Sequence, residues 1–441
     1  MSTYAPEFIK FVNASPTPYH AVRNATHMLK QHGFEELNEK ETWDIQPGKC
    51  YYVNRNGSSL IAFAVGGQFK AGNGAAIVGA HTDSPTLRVK PVSKKSPSGY
   101  LNVGVELYGG GLWHTWFDRD LSIAGRVYVS ENGRHVPKLV KIAKPILRIP
   151  TLAIHLRPGS SNKFEFNTET ELEPVLGLVK KELQGSDESA HHPSMIKAIA
   201  TELSVKPSDI EDFEIILYDT QDATIAGLED EFVYSPRLDN LGSTFCATAG
   251  LIQSAKSIKF DEHIRLISLF DHEEIGSNSA QGAASNFLEA ILKRVHGDKY
   301  EECLAKSFLL SSDMAHAVHP NYASKHEVNH TPRLNGGPVI KINANQRYAT
   351  NSVGIVLIKN IAQNAGVPLQ SFVVRNDSPC GSTIGPIMAT RLGMRTLDIG
   401  NPQLSMHSIR EMAGTKDFDY LTSLFIGYFN DYATVEADIE V

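Results

Sequence analysis

Four short apolar runs in this chain all lead into acidic or histidine residues. AAIVGA (75–80) runs into His81-Thr82-Asp83, and HIRLISLF (263–270) runs into Asp271-His272-Glu273-Glu274. SFLLSS (307–312) ends at Asp313, with His316 and His319 close behind, and MRTLDIG (394–400) leads into a loop carrying His407. Each run has strand length. Helix-like segments alternate with them, such as SVGIVLIKNIAQNAG (352–366), whose apolar residues recur at helical spacing up to a glycine stop. This alternation implies an α/β sheet with helices on both faces. Ligand sites in such sheets lie beyond the carboxyl ends of the strands. One pattern therefore constrains both the fold and the place of the site.

The alternation weakens between 91 and 235. KPVSKKSPSG (90–99) reads as an exposed linker or turn, and AGRVYVSENGRHVPKLVKI as a β-hairpin around Asn132-Gly133. LQGSDESAHHPS (183–194) reads as a polar loop. The expected organisation is a sheet domain over 1–90 and 236–441, interrupted by a β-rich domain over 91–235. Residues 5–32 read as helices, with Gly33 as a stop.

Bulk properties narrow the function. The formal net charge of −7 forces no basic face, which argues against nucleic acid as the main partner. No apolar run approaches the ~18 residues of a membrane span. MSTYAPEFIKFVNASP lacks the charged and apolar regions of a signal peptide. A cytoplasmic protein without a membrane partner is expected. The four cysteines, Cys50, Cys246, Cys303 and Cys380, form no C-x-x-C pair, so neither a zinc ribbon nor a disulfide framework is expected. Cys380 has no evident base beside it and is not read as a nucleophile.

Taken singly, each strand-end residue has a plain structural reading. His81-Thr82-Asp83 can be an ordinary turn, Asp313 a turn former and His407 a loop histidine. Asp239 in RLDNLGS can be a helix N-terminal acid. Together they would converge on one edge of the sheet. Adjacent Glu273 and Glu274 repel each other and resist burial, unless cations offset the charge. Two divalent ions about 3.5–4 Å apart, bridged by a carboxylate, can clamp a reacting centre and supply an activated water. Histidine and carboxylate donors suit zinc. One glutamate would then bind metal and its neighbour would take the water's proton.

GAHTDSP, RLDNLGS, DHEEIGS, SSDMAHAVHPNY, NGGPVIKINANQRYAT, DSPCGSTIGP and LDIGNPQLSMHS, in this order, resemble the aspartyl aminopeptidase family of metallopeptidases. The resemblance covers almost the whole chain. It implies a dinuclear-zinc exopeptidase fold with two Zn2+ per subunit, the insertion serving dimerisation, and a dodecamer built from dimers. It implies one metal on His81, Asp313 and bridging Asp239, and the other on Glu274, His407 and the same Asp239. It also implies Glu273 as general base and Asp83 as the residue orienting His81. His155, in PTLAIHLRPG, reads on its own as a hydrogen-bonded structural histidine. The resemblance instead implies that it reaches a partner subunit's active site.

The implied activity is removal of an N-terminal aspartate or glutamate from peptides. Lys341 is a cation suited to an acidic substrate side chain, with a surface ion pair as its plain alternative. His316 and His319 either line the site, with His316 a substrate-binding candidate, or are solvent-facing loop histidines. Two other functions remain open at this point. One is an aminopeptidase preferring neutral N-terminal residues, although the branch with that preference carries an N-terminal extension. The other is a non-catalytic scaffold on the same fold, against which the intact Glu273 and ligand set argue.

Overall fold

The computed structural model describes residues 2–156, 163–179 and 189–440. Its contacts divide the chain into two compact units. The first comprises residues 1–84, 223–406 and 411–441, and the second residues 85–222 and 407–410.

The first unit is built on a nine-stranded mixed sheet. Its central strands Ile264–Phe270, Ala75–His81, Phe308–Ser312 and Arg395–Gly400 are parallel neighbours in that order. Antiparallel strands flank them on both sides. The first three are buried along their whole length, as near-continuous apolar runs require when both faces are covered. The pleat sends successive side chains to opposite faces. Ala76, Val78, Ala80, Ile267, Leu269 and Leu310 therefore join one core, and Ala75, Ile77, Ile264, Leu266 and Leu309 the other.

Helices Tyr4–Asn13, Pro18–Gln31, Leu238–Ser254, Ser352–Ala365 and Thr415–Ala437 contribute to the first core. Helices Phe287–His296, Tyr300–Ala305 and Ile384–Leu392 contribute to the second. This is the α/β sheet, covered on both faces, that the strand-helix alternation implies. The helix expected over 352–366 ends at Gly366, whose φ of 66° suits a glycine stop. A smaller five-stranded sheet completes the unit, and includes Phe232–Ser235, Glu411–Gly414 and Pro402–Leu404.

The second unit carries a six-stranded sheet whose neighbouring strands are all antiparallel. Its core includes Leu87, Val103, Ile123, Val127, Ile199 and Leu217. The expected hairpin joins Leu121–Glu131 to Arg134–Lys141, with positive φ at both Asn132 and Gly133.

The stretch 90–99 differs from its linker reading. Thr86–Lys95 is one strand, and its register against Tyr100–Tyr108 shifts between Val89 and Lys94. That irregularity accommodates Pro91, which cannot donate to a regular ladder. The sequence reading put the joints between the two parts near 90/91 and 235/236, whereas contacts divide the chain at 84/85 and 222/223. Strands Thr224–Ala226 and Phe232–Ser235 pair into the small sheet of the first unit, which draws the second joint upstream. Of the polar stretch 183–194, residues 183–188 lie outside the described residues. Among the described residues, no helix is long and apolar enough to cross a membrane.

Candidate metal centre

The central parallel strands deliver three acid or imidazole groups to one edge of the sheet. His81 is the last residue of its strand and pairs in register with Phe270, so the Asp271–Glu274 segment starts beside it. Asp313 follows the Phe308–Ser312 strand directly. Asp239 stands at the start of the Leu238–Ser254 helix in non-helical backbone, and the Asp239–Asn240 peptide bond is cis.

These groups converge. His81 Nε2 lies 3.3 Å from Asp239 Oδ1, 3.5 Å from Asp313 Oδ1 and 3.8 Å from Glu273 Oε2. Ligand atoms of His81, Asp239 and Asp313 all fall within 4.8 Å of one another, as do those of His81, Glu273 and Glu274. His81 Nδ1 is 3.1 Å from the Asp83 carbonyl, which can only accept, so this nitrogen carries the proton. In neutral His81 the Nε2 lone pair then faces carboxylate oxygens. That arrangement is repulsive without a proton or a metal ion between them.

Two like charges about 4 Å apart repel by roughly 4 kcal/mol at a protein-like dielectric. Four carboxylates around one buried imidazole thus form an anionic cage that a divalent cation would relieve. The donor set of nitrogen and carboxylate oxygen fits zinc chemistry.

Asp83 does more than adjoin His81. Its carboxylate is buried, with Oδ1 3.3 Å from His81 Nδ1. The backbone N–H groups of Glu273 and Glu274 donate to its Oδ1 and Oδ2, each at 3.1 Å. One carboxylate thus holds both the imidazole and the short helical turn Glu273–Ile275. The turn is bounded by left-handed backbone at His272 and at Gly276, where φ is 96° and only glycine is unstrained. Asp271 and His272 serve the turn itself: Asp271 Oδ1 accepts the His272 N–H, and His272 Nδ1 lies 2.7 Å from the Ser279 hydroxyl.

Crowding shows in the proton affinities. Burial pushes the Glu273 carboxyl up; His81 opposes this, Asp313 and Asp239 add to it, and the result is about 8. Burial and then Asp239 raise Glu274 well above the usual carboxylate range. Burial alone would lower His81, but Glu273, Asp239, Asp313 and Asp83 outweigh it and raise the imidazole well above its ordinary value.

All three groups therefore hold protons more tightly folded than unfolded. Through these three groups the metal-free fold takes up protons relative to the unfolded chain, so the stability they contribute is lost as pH rises. For Glu273 the window runs from 4.5 to about 8. Thermal midpoints in excess chelator should drop from the low to the high end of that window, and zinc should reverse the drop. A chelated protein equally stable at both ends would contradict this.

Lys341, on the Val339–Ile342 strand, is not a surface ion pair. It is buried at 2% exposure. Its Nζ donates to the Met314 carbonyl at 3.1 Å and lies 3.5 Å from Asp313 Oδ2 and 5.2 Å from the centre of the Tyr348 ring. His316 is exposed and its ring packs edge-on against Phe372 at 5.9 Å. Its pKa is lowered, first by desolvation and then by Lys341. His319 is partly exposed, beside Tyr322.

Two sequence candidates fall in the second unit. His407 Nδ1 lies 2.9 Å from the Gly110 carbonyl, so neutral His407 protonates Nδ1 and keeps the Nε2 lone pair for a ligand. His155 sits in a short helical turn, Ile154–Leu156, and is exposed. Its apolar neighbours Leu152, Ile154 and Leu156 are themselves more than half exposed.

Sequence reading missed the residues that hold the Asp239 backbone. Ser84 and Asn240 adjoin residues singled out in the sequence, Asp83 and Asp239, whereas Glu411 has no such neighbour to point to it.

Comparison with known proteins agrees with this geometry. The profile of the family described as Aminopeptidase I zinc metalloprotease (M18) matches residues 11–429. Aspartyl aminopeptidase 1 of Schizosaccharomyces pombe is 55% identical over 99% of this chain and 96% of its own length. The aspartyl aminopeptidase of Aspergillus oryzae is 53% identical, over 99% and 97%. A chain from the cryo-EM structure of the Ape4 and Nbr1 complex superposes with a TM-score of 0.97 at 54% identity, over 99% of this chain and 87% of that one. The Saccharomyces cerevisiae mApe1 dodecamer gives 0.87 at 31% identity, over 99% and 98%. A profile match across nearly the whole chain, on top of an anionic cage built for cations, makes this chain a member of the M18 family of zinc metallo-aminopeptidases.

Proposed function

We propose that this chain is a dinuclear zinc aminopeptidase that removes aspartate or glutamate from the N-terminus of peptides. Relatives named aspartyl aminopeptidase, at 46–55% identity, support that activity and its acidic preference. The observation that carries the mechanism is the double grip of Asp83. By holding the N–H groups of Glu273 and Glu274, it aims two neighbouring carboxylates at one cage.

His81, Asp239 and Asp313 would hold one zinc, and Asp239, Glu274 and His407 the second. When bound, the metals polarise the scissile carbonyl and acidify a water. Glu273 takes the proton from that water and returns it to the leaving amine. Without cations, burial and the neighbouring carboxylates hold Glu273 largely protonated near neutral pH; bound cations would offset those carboxylates, lower its proton affinity and leave it free to accept a proton. Asp83 keeps the His81 ring in the tautomer that presents Nε2.

The chain works as a homo-oligomer. The dodecameric mApe1 neighbour supports this, and a dodecamer assembled from dimers through the second unit is the finer reading. The exposed Leu152, Ile154 and Leu156 around His155 agree with a segment covered by another copy.

A panel of peptides differing only in the first residue, assayed with metal content on the same sample, tests the function. Acidic first residues should be cleaved best, and a neutral preference would overturn the reading. Lys341 is the proposed reader of the acidic side chain. Lys341→Leu should weaken cleavage of acidic substrates far more than neutral ones, by about ten- to a hundred-fold for a lost charge-assisted hydrogen bond of roughly 1.5–3 kcal/mol. Its Nζ also lies near Asp313, so an equal loss on both peptide classes would make Lys341 a support for that carboxylate instead.

A further inference from the structure

The Asp239 main chain is pinned from three directions. Its N–H donates to Glu411 Oε2 at 3.2 Å, and its carbonyl accepts from the Ser84 hydroxyl at 2.6 Å. The next residue, Asn240, donates through Nδ2 to the Ser312 carbonyl at 2.8 Å. Each pin comes from a segment beside a candidate site residue: Ser84 follows Asp83, Ser312 precedes Asp313, and Glu411 lies four residues after His407.

Glu411 stands out among the three. It is a carboxylate with 4% exposure, buried close to a cage that already holds too much negative charge. Its second oxygen, Oε1, accepts from Gln403 Nε2 at 3.2 Å, which fixes the rotamer. The strand Glu411–Gly414 that carries it is held by pairing to Pro402–Leu404 and Phe232–Ser235. The contact is thus a rigid strut from a sheet to a single N–H group.

We propose that Glu411 is a positioning residue that sets the Asp239 carboxylate for metal binding by anchoring the Asp239 N–H. The proposal rests on Asp239 being a ligand. It concerns reach and not charge, because an N–H needs only a well-placed acceptor. Glu411→Gln keeps an acceptor oxygen at the same distance, and the Gln403 amide can flip to match. Glu411→Asp keeps the charge but falls one methylene short.

Zinc affinity, measured by competition with a chelating dye on the purified oligomer, separates the two. Glu411→Asp should weaken metal binding by about 10- to 100-fold, as loss of an outer partner of a ligand does. Glu411→Gln should stay close to wild type. Thermal midpoints in excess chelator should be alike for both variants, which shows that the loss is not a folding defect. Wild-type affinity in Glu411→Asp, or a weakened Glu411→Gln beside an intact Glu411→Asp, overturns the proposal. Asp239→Asn is the control: if it keeps both metals, the ligand assignment itself is wrong, whereas metal loss there with an unaffected Glu411→Asp refutes only the role of Glu411.

Discussion

Glu273→Gln is expected to keep its metals and lose nearly all turnover. The amide has the shape of the carboxylate, and the Asp83 grip acts on the backbone N–H, which the substitution leaves untouched. The turn should therefore keep its place, and Glu274 with it. What disappears is the capacity to take a proton from water and hand it to the leaving amine. General base catalysis contributes about a hundred- to ten-thousand-fold. Metal content and peptide hydrolysis must be read on the same preparation. Turnover like that of wild type in a metal-replete sample would remove Glu273 from the mechanism. Loss of metal with loss of turnover would mean that Glu273 is a ligand and that the neighbouring roles need exchanging.

The second large effect is expected at His155. Its exposure, on a turn flanked by exposed aliphatic side chains, suits a group that works in another copy of the chain. A donor aimed at the charge developing on the scissile carbonyl oxygen contributes about 2.7–4 kcal/mol, or about a hundred- to thousand-fold in rate. His155→Ala should lower turnover by that order while metal content and oligomer size stay unchanged. A mixing experiment is sharper. In a dimer of one His155→Ala chain and one Glu273→Ala chain, one site carries both defects and the other carries neither. Co-expression of these two inactive variants should recover part of the activity. Mixed assemblies that demonstrably form, yet stay as inactive as their parents, would place His155 within its own chain or outside the reaction.

Much of the centre is legible in the chain because it obeys local rules. An apolar run of strand length that stops at His81 or Asp313 announces a strand end, and strand ends are where open sheets put ligands. The adjacent Glu273 and Glu274 announce a cation, because two neighbouring carboxylates are poorly buried without one. Gly366 marks the end of its helix through a backbone conformation that glycine reaches without strain. The sheet's two cores follow from residue alternation along the strands.

Other features were hidden because nothing local encodes them. Lys341 looks like any surface lysine in its sequence context; only its neighbours Met314, Asp313 and Tyr348 make it a buried cation. The stretch around Pro91 has the composition of a linker, and only pairing with Tyr100–Tyr108 reveals a strand interrupted by an irregularity.

The sequence by itself determined the residue types, their order, and their places at strand ends. Strand and helix periods are short-range properties, set by backbone geometry and by which side chains avoid water. Tertiary structure decided which of those ends meet and what holds them. The N–H of Asp239 finds Glu411 across 172 residues of chain, and that of Glu273 finds Asp83 across 190. Hydrogen bonds over such separations have no period and leave no local pattern. They form because the packed sheet brings its loops together and because buried polar groups left without partners are costly.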